Sequence, residues 1–139
     1  MAVEQQPPDV IAMVLADAVL HDFATGKCFI QGTYSVIGAR EFPHLHPSIV
    51  VYTAVTGGHG QTPMKLRLVD ANEDRAPLFQ NEAMVSFPDP ITVIELVIAT
   101  PNVVFPEPGE YRLQLSGAGE FLRERRIHVV PIEQPPPNP

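Results

Sequence analysis

The sequence predicts an all-β domain: a single antiparallel β-sandwich of immunoglobulin-like, Greek-key type with about seven to nine short strands. Three observations carry that expectation. Apolar and polar residues alternate with period two in several short runs, most cleanly from Met64 to Leu68 and from Tyr111 to Leu115. The runs recur at roughly 8–12-residue spacing between clusters of Gly, Pro, Asn and Asp. Sixteen prolines in 139 residues leave few uninterrupted windows for long helices.

Residues 1–9 are polar, contain Pro7 and Pro8, and read as a flexible lead-in to a domain over residues 10–131. The run from Val10 to His21 has helix-tolerant Ala, Met and Leu. Asp22 to Lys27, however, has the composition of a hairpin connection into a β-branched and aromatic run, Cys28 to Ile37, so residues 13–21 are assigned to a strand. Gly38 to Glu41 is expected to break the second strand. Residues 42–47 are expected to form an irregular bridge, because Pro43 and Pro47 cannot donate to a ladder.

Ser48 to Thr56 is apolar on both faces and predicts a central strand; Gly57 to Pro63 predicts a flexible loop. Met64 to Val69 is a strand, Asp70 to Asp74 a turn, and Leu78 to Phe87 a further strand ended by Pro88 and Pro90. Ile94, Leu96 and Ile98 share one face of the next strand, after which Thr100 to Asn102 is expected to loop back. Pro108 and Gly109 suit the central positions of a type II turn. From there Tyr111, Leu113 and Leu115 point inward, with Arg112 and Gln114 on a wet outer face. Ser116 to Gly119 turns the chain into a last strand, Phe121 to Val130. Residues 132–139 form a proline-rich tail suited to polyproline geometry.

Taken in order, Ala16-Asp17, Gly26-Lys27, Gly32, the bridge Phe42, Pro43, His46 and Pro47, then Leu66, Leu68 and Asp70, and finally Phe105, Pro106, Pro108, Gly109 and Tyr111 form a set. That ordered set resembles a bacterial family of domains of unknown function, DUF6941, over roughly residues 14–130. The resemblance implies an all-β fold with no established activity and supplies no catalytic residues. His44 and the Gly57 to Gly60 loop stand outside its pattern.

A formal net charge of −7 argues against a nucleic-acid partner. The basic cluster Arg123, Arg125 and Arg126, interrupted by Glu124, reads as charge protecting a sheet edge. The single cysteine, Cys28, precludes an internal disulfide and permits a reducing compartment. Glu4, Asp9 and Asp17 precede the first basic residue, Lys27, which is unlike a secretory signal; Val10 to Leu20 is too short to span a bilayer. The expectation is a cytoplasmic protein without a membrane segment.

His44 and His46 are the nearest approach to a metal site, since residues two apart on an extended strand face one side. Without a spaced third ligand, the expectation is no metal and no cofactor. Asp70, Asn72 and Asp74 begin like a calcium loop, but Arg75 stands where glycine is needed and Asn81 where glutamate is needed. Cys28 has no local signature of a nucleophile.

The leading expectation is therefore a non-enzymatic module for protein–protein interaction or assembly, through an edge strand that also permits self-association. One alternative is a small-ligand or metal-binding end carrying His44, His46 and His59. Another is an enzyme pairing His46 with Asp17 or Asp70.

Overall fold

Period-two alternation becomes nine strands in the computed structural model, which describes residues 6–72 and 75–133. They are β1 (Asp9–Asp22), β2 (Lys27–Thr33), β3 (Val36–Ala39), β4 (His44–Thr56), β5 (Gly60–Asp70), β6 (Phe79–Phe87), β7 (Ile94–Phe105), β8 (Gly109–Gly117) and β9 (Glu120–Pro131). Two sheets form, one of four strands in the order β2-β1-β4-β7 and one of five in the order β3-β9-β8-β5-β6. Neighbours are antiparallel except β3, which runs parallel to β9. The sandwich is as expected, although its strands are longer: β1 has 14 residues and β4 has 13.

The core lies between the sheets. Leu15, Ile49, Val51 and Val55 come from one sheet, facing Leu66, Leu68, Leu113, Leu115 and Ile127 from the other, and all are at most 1% exposed. Alternation puts these residues inside because each strand has one buried row. β4 is buried on both faces, with Val50 at 8% and Ala54 at 4% on the row opposite Val51 and Val55, as a central strand between β1 and β7 requires. Ala118 and Gly119, at φ 53° and 79°, make the tight connection between β8 and β9.

Several local expectations are corrected. The bridge at 42–47 is not irregular: β4 begins at His44 and pairs with β7 through His44↔Phe105, His46↔Val103 and Ser48↔Pro101. Pro47 is tolerated because β1 pairs with β4 only as far as Val50, so this end of β4 has a neighbour on one side alone. Its register opposite is Asn102, in the left-handed region at φ 54° and skipped by the ladder, so Thr100 to Asn102 is a kink inside β7 rather than a loop. Gly60 to Pro63, expected in a loop, opens β5 and pairs with β6. The second strand breaks at Tyr34 and Ser35, before Gly38; Ile37, Gly38 and Ala39 cross to the other sheet as β3.

The expected type II turn also differs. Gly109 has φ 149°, not the roughly 80° of such a turn, and already belongs to β8. The turn is fixed instead by Tyr111, whose hydroxyl donates to the Glu107 carbonyl at 2.6 Å and whose ring meets Phe105 edge-on at 4.9 Å. Gln114, expected on a wet face, is 7% exposed, accepting from Arg67 Nε at 2.8 Å and donating to Glu124 at 3.0 Å.

The arginine cluster lies on an open edge, as expected: β3 pairs with β9 only from His128 to Pro131, so at Arg123 to Arg126 the strand has β8 alone as its neighbour. Two of its members cross to the other sheet: Arg123 donates to the Val10 carbonyl and Arg125 to the Met13 carbonyl, each at 2.9 Å. The distal half of β1 and its partner β2 form an arm that curls over the outer face of their sheet. Val19, His21 and Cys28 thus share a cleft with Val93, Glu95 and Val97, although β2 and β7 are opposite edges.

Of the expected lead-in, residues 1–5 lie outside the described residues, and Asp9 already pairs with Thr56. Of the tail, residues 134–139 lie outside, while Ile132 donates its N–H to the Ala39 carbonyl at 2.9 Å. Glu73 and Asp74 of the Asp70 turn are likewise outside.

Candidate functional site

The site grows from the place where β1 leaves the sandwich. Ala16 pairs with Val50 on one side and Thr33 on the other and is fully buried; beyond it the ladder continues with β2 alone. At this bend Gly32 takes φ 68°, a conformation that glycine adopts without strain, and a Cβ there would overlap the Asp17 carboxylate. Asp17 therefore lies flat against the Gly32 backbone. The chain then turns through Tyr34, whose N–H donates to the Leu15 carbonyl at 3.3 Å, toward the second sheet.

The start of β4 completes the site. Asp17, Gly32, Tyr34 and His46, with Val36 and Ile37 beside them, line a cleft of about 280 Å³. His44 lies next to it: its Nε2 is 3.4 Å from His46 Nδ1, within hydrogen-bonding distance. The His44 ring stacks on Phe105 at 6.4 Å, and the His46 ring lies 6.1 Å from that of Tyr34.

Electrostatics here favour neutral groups. Burial pushes the His46 pKa down, the neighbouring His44 adds to this, and Asp17 opposes it. Burial raises the Tyr34 phenol, with Asp17 acting in the same direction. The Tyr34 hydroxyl is buried and has no hydrogen-bond partner. Among the described residues no ion pair joins Asp17 to His46. The cleft thus brings together a half-buried imidazole, a carboxyl side chain and a phenol whose hydroxyl is buried without a partner.

The other sequence candidates separate. β4 spans ~40 Å at ~3.3 Å per residue, so His59, which follows its far end, is at the opposite end of the sandwich from His44 and His46. His59 therefore does not share an end with His44 and His46, as the ligand-binding alternative required. Asp70 ends β5 in the other sheet and meets Arg75 Nε at 3.5 Å, while Arg75 also reaches Glu107 at 2.9 Å. Arg75 thus pairs with one carboxylate oxygen of Asp70, while the other, Oδ1, is buried without a partner. Pro43 follows Phe42 in a cis peptide and, with Phe42, leads into β4; Pro47, Pro108, Gly109 and Tyr111 serve the strand starts described above.

Two features escaped the sequence reading. Tyr34 carried no local signal, since its importance comes from the crossing between sheets. The second is a contact between Tyr52 and Glu95 on the outer face, where the Tyr52 hydroxyl donates to the carboxylate. Burial and Glu95 push Tyr52 up to about 12. The Cys28 thiol, under the arm, is also raised, first by burial and then by Glu95. That is the reverse of what an activated nucleophile requires.

A family model described as a family of unknown function, DUF6941, matches residues 11–130. The chain belongs to the DUF6941 family. Three of the positions that carried the resemblance, Asp17, Gly32 and His46, come from three different strands of this DUF6941 domain and meet in the one cleft. Among solved structures, the sensor domain of the anti-sigma factor RsgI4 from Pseudobacteroides cellulosolvens is similar at 14% identity, over 68% of this chain and 93% of that one, with a TM-score of 0.41. No curated protein matches.

Proposed function

We propose that this DUF6941 domain is a non-enzymatic recognition module that takes up an extended segment of a protein partner at the free edge of β6. The observation that carries this reading is an asymmetry between the two long sides of the sandwich. On one side the β9 arginines tie the sheets together. On the other, β6 and β7 are both edge strands, and a cleft of about 420 Å³ opens between them onto Leu66, Leu115, Leu96 and Ile98.

β6 is the least protected of the edges. β7 carries Pro101 and the kink at Asn102, β3 has four residues, and β2 carries the Gly32 bend. β6 runs nine residues without a proline. An added strand would pair with its free N–H and C=O groups and point alternate side chains into the apolar mouth, beside Ala83. The raised thiol of Cys28 is consistent with a role without nucleophilic chemistry. A reducing, cytoplasmic setting suits the lone cysteine.

The test is affinity purification from the native host with the wild-type chain and an Ala83→Arg variant of unchanged circular dichroism. A partner held by the first and lost by the second supports strand addition at β6. Equal recovery with both overturns it. A concentration-dependent dimer abolished by the same substitution would make the partner a second copy.

A further inference from the structure

We propose that His44 and His46 form a two-imidazole chelate for a divalent d-block ion of the zinc or copper kind. This site is independent of the β6 edge and revises the metal-free expectation. His44 Nε2 and His46 Nδ1 are 3.4 Å apart. Two nitrogens each ~2.05 Å from a tetrahedral zinc ion lie about 3.3 Å from one another, so an ion can enter between these rings with almost no change in their separation. Most surface histidine pairs would have to be gathered from many rotamers before they could chelate. Here the rings are already held: His44 stacks on Phe105 at 6.4 Å, and His46 meets the edge of the same Phe105 at 6.4 Å. Phe105 is itself fully buried. Rotamer entropy that would otherwise oppose binding is therefore already spent in folding.

The backbone contributes as well. Pro43 precedes His44 and Pro47 follows His46, so the pair sits between two prolines of fixed φ on a strand that is paired to β7 at both positions. Among the described residues no three of His, Cys, Asp and Glu converge, so those residues supply two ligands, His44 and His46. Beside the pair, Tyr34 and Asp17 line the cleft to which His46 also contributes. A soft-to-borderline ion is favoured over calcium or magnesium because both donors are imidazole nitrogens.

The experiment is calorimetric titration of untagged, chelator-treated protein with Zn²⁺ and with Cu²⁺. The expected result is one ion per chain, with affinity at least about tenfold weaker in His44→Ala and in His46→Ala separately, and unchanged in His59→Ala. In the wild-type chain, the Cu²⁺ electron paramagnetic resonance spectrum should show coupling to two nitrogen nuclei, a readout that does not depend on the variants folding. Absence of binding at millimolar ion, binding that survives loss of either histidine, or a spectrum with one nitrogen or none would overturn the proposal.

Discussion

Tyr111→Phe isolates one interaction at the turn where the resemblance to the family is densest. The ring stays, with its edge-on contact to Phe105, and only the hydroxyl that donates to the Glu107 carbonyl at 2.6 Å is lost. A net hydrogen bond contributes about 0.5–1.5 kcal/mol, and Glu107 is exposed, so water can replace the donor; the expected loss is about 0.5–1 kcal/mol. For a domain of this length that lowers Tm by roughly 2–5 °C. Tyr111→Leu removes the ring as well, from a position 1% exposed, and should cost about 2–4 kcal/mol. A double-mutant cycle of Tyr111→Leu with Phe105→Leu, followed by urea unfolding, should give a coupling of about 0.5–1.5 kcal/mol. A neutral Tyr111→Phe together with a coupling near zero would refute the idea that this side chain, rather than the Pro108-Gly109 pair, fixes the turn.

Gly32→Ala should destabilise the domain by about 1–3 kcal/mol, because it combines a positive φ with an overlap on Asp17; Asp17→Ala should recover part of the loss, and full recovery or none would each contradict that division. Leu66→Ala, at 1% exposed in the centre of the core, should cost about 2–5 kcal/mol by urea unfolding. Tyr34, Tyr52 and Tyr111 all have raised phenol pKa values, Tyr52 at about 12. The unfolded chain releases these protons near pH 10 and the folded one later, so stability is unaffected below about pH 10 and falls as pH rises from there toward 12. Absorbance of tyrosinate should accordingly lag that of the urea-unfolded chain, and coincident titrations would count against the burial of these hydroxyls.

What could be read from the sequence follows from which forces are local. Alternation in Met64 to Leu68 and Tyr111 to Leu115 reflects a single buried row per strand, and it placed β5 and β8 correctly. The double apolar face of Ser48 to Thr56 likewise announced a strand with neighbours on both sides. Proline misled, because its effect depends on whether a neighbour needs its N–H: Pro47, Pro63 and Pro101 all sit inside strands, which a local rule cannot foresee. The arginines of β9 were legible as charge on an edge but not as ties between the sheets, since their partners are carbonyls more than a hundred positions away in sequence. His44 and His46 were legible as a pair because period two is local. Their cleft was not, since Asp17 and Tyr34 reach it only through the bend at Ala16 and the crossing to β3.

The asymmetry of the sandwich allows one further prediction to be argued through. Charge-assisted bonds from Arg123 and Arg125 close one side, whereas the β6–β7 side has Asn81 Nδ2 donating to Thr100 Oγ1 at 2.7 Å and an inward position, Ala83, too small to cover Leu96 and Ile98. A leucine at position 83 would bury more apolar surface against those two residues and suits a strand better than alanine does, so Ala83→Leu should stabilise the domain by about 0.5–1.5 kcal/mol. A sequence under pressure only to fold would gain from that change. Retaining alanine makes physical sense if the mouth must admit another chain, and then the stabilised variant should bind that chain more weakly. Thermal unfolding and partner recovery measured on the same variant decide the matter: a higher Tm with weaker recovery fits an opening kept for recognition, whereas a higher Tm with undiminished recovery would mean that the partner docks elsewhere.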